Sequence, residues 1–67
     1  MENLGTKIKT LRIAAGYTQP QLAEKVGVSK GVISFWENDV NEPKASYIKI
    51  LALCFNVSAD YLLGLED

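Results

Sequence analysis

The stretch TQPQLAEKVGVSKGVISFWEN, residues 18–38, decides the fold. Thr18 can cap the free amides at the start of a helix, and Gln21 three residues later completes a capping box. Pro20 is tolerated in the first turn, where its missing N–H is not needed. Leu22, Ala23 and Val26 make an apolar face, and Gly27 ends the helix after about two turns. Ser29 caps the next helix, Lys30 to about Asn38, with Val28 and Ile33 in hydrophobic-staple positions. Only Val28 and Ser29 separate Gly27 from that second helix, which is the spacing of a helix-turn-helix. The demands agree with one another: Ala23 is small where the helices cross, Gly27 reverses the chain, Val28 tucks under, and Ile33 fills the space between. Leu22, Val26 and Trp36 complete a small core.

Helical periodicity continues on both sides. Upstream, Leu4, Ile8, Leu11 and Ala15 form the stripe of an amphipathic helix that Gly16 stops. Tyr17 stands where it can staple to Leu22. Downstream, VNEP reads as a loop, and Pro43 leads into a fourth helix ending near Phe55, with Asn56 as its stop. Its apolar residues fall in two stripes, Ile48, Leu51, Ala52 and Phe55, then Tyr47, Ile50 and Cys54, as for a helix packed on two sides. Ser58 caps a short fifth helix, Val57 and Leu62 form a third staple pair, and Gly64 ends it. The expectation is one all-α domain of five helices over residues 1–67. Tyr61, Leu62, Leu63 and Leu65 are more apolar surface than a terminal helix readily buries, so a symmetric dimer contact is expected there.

Composition narrows the function. Seven Lys and Arg against eight Asp and Glu give a net charge of −1, which by itself does not point to a polyanion. There is no histidine and a single cysteine, Cys54. An internal disulfide is therefore excluded, a zinc site lacks ligands, and Cys54 reads as a small core residue. With no nucleophile and base together, no enzyme, cofactor or small-molecule ligand is expected. No apolar run is long enough to span a membrane and no export signal is visible, so a cytoplasmic location is expected.

What remains is the outward face of the third helix. With Ile33 facing inward, steps of about 100° put Trp36 and Glu37 on either side of it, and turn Gly31, Ser34, Phe35 and Asn38 away from the core. An exposed phenylalanine beside a glycine and a capped N-terminus suits a surface that another molecule approaches closely. Gly31 would let a duplex near the backbone, and Phe35 could lie against thymine methyl groups.

The run TQPQLAEKVGVSKGVISFWEN resembles the helix-turn-helix of the phage repressor and Cro family of regulators. KIKTLRIAAGYTQ is similar to that family's first helix, and EPKASYIKILALCFNVSADYLLG to its last two. The resemblance implies a five-helix, lambda-repressor-like DNA-binding domain, bacterial or phage-encoded. It also implies a repressor, homodimeric on a pseudo-palindromic operator, with the third helix in the major groove. By the same resemblance Thr18, Gln19 and Ser29 lie near phosphate, as does Asn38, while Lys30, Gly31, Ser34 and Phe35 face bases or nearby backbone. Lys44 matches a position near flanking backbone, although a cation there replaces the usual serine cap. Arg12 and Glu37 match a partly buried ion pair joining the first and third helices. Where Phe35 stands, relatives often carry a glutamine, arginine or lysine. Asp39 and Glu42 are poorly placed for phosphate, so the alternative use of the scaffold is a protein-interaction module, antitoxin-like or an anti-regulator subunit. YLLGLED stands where many relatives continue into a second domain.

Overall fold

Short polar side chains set where the helices begin. In the computed structural model, which describes residues 2–66, Asn3 Oδ1 accepts the Thr6 N–H at 2.8 Å and opens α1, Leu4–Ala14. Thr18 opens α2, Gln19–Val26, through the reciprocal box: its Oγ1 accepts from Gln21 N–H, and Gln21 Oε1 accepts from Thr18 N–H at 2.9 Å. Ser29 opens α3, Lys30–Glu37, and Ser58 opens α5, Ala59–Leu62. Between them lies α4, Ala45–Phe55, whose N-cap Lys44 makes no side-chain capping bond. Each such cap contributes about 1 kcal/mol, a large sum for helices too short to hold themselves together in water.

The helix ends follow the same logic. Gly27 lies at φ +86°, and both its N–H and that of Val28 donate to the Ala23 carbonyl, at 2.8 and 3.0 Å. A side chain at that φ would be strained, so the α2–α3 reversal depends on glycine.

Ile8, Leu22, Ile33, Leu51 and Leu62 are the fully buried side chains, one from each helix in turn. Burial of each is worth about 1.5–3 kcal/mol. Tyr17, Val28 and Val57, one at each staple position, pack against this core. Trp36 is buried and leans on Tyr47 of α4, with ring centroids 5.5 Å apart.

Three expectations need correction. Ala15 lies past the last turn of α1 and is exposed, while Leu4, Ile8 and Leu11 of the expected stripe pack inward together with Gly5 and Arg12. α3 ends at Glu37, with Asn38 as its C-cap. The second apolar stripe of α4 is enclosed only in part: Tyr47 and Cys54 are half-buried against the core, while Ile50 is 37% exposed.

Candidate nucleic-acid interface

The back of α3 is fastened before its front can be read. Arg12 Nε donates to Glu37 Oε2 at 2.6 Å and Nη2 to Oε1 at 3.1 Å, a two-point pair between buried side chains. Arg12 Nη1 donates to the Tyr17 carbonyl at 2.8 Å, and Gln19 Nε2 donates to Glu37 Oε1 at 3.0 Å. Among the described residues no buried side-chain polar atom lacks a partner. The cluster therefore joins α1, the start of α2 and the end of α3 at one point, with the desolvation cost of two ions offset by paired geometry.

A second joint was not read from sequence. Gly5 of α1 lies against the end of α3, where an added Cβ would come 2.4 Å from the Trp36 carbonyl oxygen and 2.9 Å from that of Glu37. Only a residue without a side chain allows this approach. The available signal was a glycine inside a helical pattern, which commonly marks close packing.

With its back held, α3 presents Lys30, Gly31 and Phe35 to solvent, and Phe35 is 49% exposed. Ser34 is half-buried beside them. The Thr18 and Ser29 hydroxyl oxygens accept backbone N–H groups, which leaves each hydroxyl proton free to donate.

Two of the side chains expected near phosphate are otherwise engaged. Asn38 turns its amide nitrogen back onto Ser34, donating to the carbonyl at 2.8 Å and to the hydroxyl at 3.3 Å. The half-buried Gln19 spends an amide proton on Glu37. Lys44 is exposed at the start of α4 and lines a shallow groove with Val32, Trp36, Glu42 and Tyr47.

The expected dimer contact also divides. Leu62 is 1% exposed and belongs to the core, because it is the inward residue of α5. Tyr61 is half-buried under Lys7, whose Nζ lies 4.6 Å from its ring centroid and donates to its carbonyl at 3.0 Å. Leu63 and Leu65 remain exposed, and Leu63 lines a groove of about 590 Å³ with Ile48, Ala52, Ala59 and the 75% exposed Leu53.

A helix-turn-helix domain is what this fold and this face define. The chain belongs to the helix-turn-helix family of phage repressor type, which it matches over residues 8–62. It is 38% identical over 65 residues to the HTH-type transcriptional regulator ImmR of Bacillus subtilis (strain 168), covering 97% of this chain and 51% of ImmR. The P22 c2 repressor, solved in complex with a synthetic operator, superposes with a TM-score of 0.91 at 32% identity, covering 98% of this chain and 100% of that one. SinR, a master regulator for biofilm formation solved in complex with DNA, gives a TM-score of 0.81 at 32% identity over 88% of this chain and 95% of that one. The chain thus spans about half the length of ImmR. Among the described residues no helix is long and apolar enough to cross a membrane.

Proposed function

We propose that this chain binds double-stranded DNA sequence-specifically as the reading domain of a transcriptional regulator, a repressor acting as a homodimer on a pseudo-palindromic operator. One observation carries the proposal: α3 is locked from behind through Glu37 while Lys30, Gly31 and Phe35 stay open in front. The operator complex of the P22 c2 repressor and the DNA complex of SinR support this reading. Lys30 would meet phosphate, Gly31 would admit the duplex, and Phe35 would lie on thymine methyls. The second copy would dock on the groove between α4 and α5, with Leu53 and Leu63 replacing Tyr61 and Leu62 as its central contacts. Half-sites should then lie about one helical turn, ~34 Å, apart.

Selection from a random duplex pool tests the proposal, and recovery of a palindrome with that spacing is the expected result. Phe35→Ala should weaken operator binding by about 1–3 kcal/mol while changing stability by no more than about 0.5 kcal/mol. A large loss of stability with unchanged specificity would refute the assignment of Phe35.

A protein-binding reading of the same face draws on the exposed Phe35 and on the acidic Asp39 and Glu42 that follow α3, which suit phosphate poorly. Salt separates the two. Duplex binding by a dimer neutralising ~4–6 phosphates should fall with a log–log slope of roughly −4 to −5, whereas an apolar protein contact should barely respond.

A further inference from the structure

We infer that Phe35 and Val40 form one methyl-reading surface, which makes Val40, a residue beyond the end of the helix-turn-helix, a second specificity determinant. The inference rests on α3 being the helix that enters the major groove. It begins with how α3 ends. Asp39 takes φ +58°, its N–H donates to the Trp36 carbonyl at 3.3 Å, and the Val40 N–H reaches back to the Phe35 carbonyl at 2.9 Å. Together these are the two bonds of a Schellman motif, which characteristically sets the side chains at its first and last bonded positions against each other.

In most helices that contact faces the protein interior. Here both positions open to solvent: Val40 is 65% exposed and Phe35 49% exposed. Nearby, the Asn38 amide nitrogen is turned onto the Ser34 carbonyl and hydroxyl, so it is not presented as a donor to a phosphate. The anionic Asp39, whose carboxylate lies toward Gly5 of α1, adds negative charge at this end of α3 and makes a phosphate an unfavourable neighbour. An uncharged, apolar group is the fitting partner. Among the groups a base pair shows in the major groove, only the thymine C5 methyl is apolar.

The probe is the duplex recovered by random selection, with each thymine replaced in turn by deoxyuridine, which removes the C5 methyl and nothing else. At one thymine of each half-site, wild-type affinity should fall about four-fold per half-site, the worth of one methyl leaving an apolar contact. Val40→Ala should bind the unmodified duplex more weakly by a similar factor and show under about two-fold sensitivity at that thymine, the signature of two coupled groups. Val40→Thr, which keeps the shape and the backbone bond, should also lose the sensitivity, and it serves as the second variant should the alanine chain melt early.

Wild-type binding that is indifferent to every deoxyuridine overturns the inference and leaves the DNA-binding reading standing. So does a Val40→Ala chain that keeps full methyl sensitivity. Binding to no duplex at all overturns both.

Discussion

Replacing Arg12 by methionine should come close to unfolding the domain, and replacing Glu37 by leucine in the same chain should restore it. In the single variant the Glu37 side chain, only 2% exposed, keeps one donor, the Gln19 amide at 3.0 Å, in place of three. Leaving a buried charge without its ion partner costs about 3–5 kcal/mol. A chain of 67 residues at ~0.05–0.15 kcal/mol per residue has only about 3–10 kcal/mol in total. At ~4–8 °C per kcal/mol for a domain this small, the midpoint should drop by at least about 12 °C. The double variant removes both charges together and fills the space with apolar atoms, an exchange that is often neutral or stabilising. Its half-buried Gln19 can turn to water. Urea and thermal unfolding of the wild type, both single variants and the double variant give the coupling energy, expected at about 3 kcal/mol, the upper end of the usual range. If Arg12→Met costs less than about 1 kcal/mol, or the double variant loses the sum of the singles, the pair does not fasten α1 to α3 as argued.

Other expected outcomes follow from single contacts. Gly5→Ala should cost about 1–3 kcal/mol, measured by urea unfolding, because the new Cβ meets backbone oxygens that cannot swing aside. Asp39→Gly should raise stability by about 1 kcal/mol, since a Cβ is removed at φ +58°, and should tighten binding to unrelated duplex by removing an anion. Leu53→Lys, at a 75% exposed position, should leave the melting temperature almost unchanged yet abolish self-association in sedimentation.

How far the sequence was legible depended on how local each cause was. Three of the caps were readable, since Thr18, Ser29 and Ser58 act on amides three residues away. The turn at Gly27 was readable for the same reason. Asn3, which caps α1 in the same way, was not read. The joining of Arg12 to Glu37 spans 25 positions, and no periodicity links them; only the family resemblance brought them together. Gly5 escaped notice because its reason lies in two carbonyls of another helix. Leu62 and Leu63 look alike in sequence, yet one is core and the other solvent-facing. A four-residue helix offers too little periodicity to tell them apart. The intramolecular bonds of Asn38 and Gln19 were not legible either, because a side-chain amide can satisfy a neighbour as readily as a ligand.

These joints bear on function through the shortness of α3. Eight residues rise only about 12 Å, and a free helix of that length would be mostly unfolded in water. Its order is imposed from outside: by Ser29 at its start, by Ile33 and Trp36 in the core, and by Gly5 and Arg12 at its end. Both joints to α1 act on the last turn, so the C-terminal half of α3 is held most firmly, and that half carries Phe35. Side chains offered from a helix already ordered by its neighbours incur little further conformational entropy on meeting a partner. An apolar contact, worth little per methyl and weakly directional, discriminates only when its position is held this closely. On the proposed reading the buried pair behind α3 and the exposed phenylalanine in front act together, and loosening Glu37 should then blur specificity before it abolishes binding.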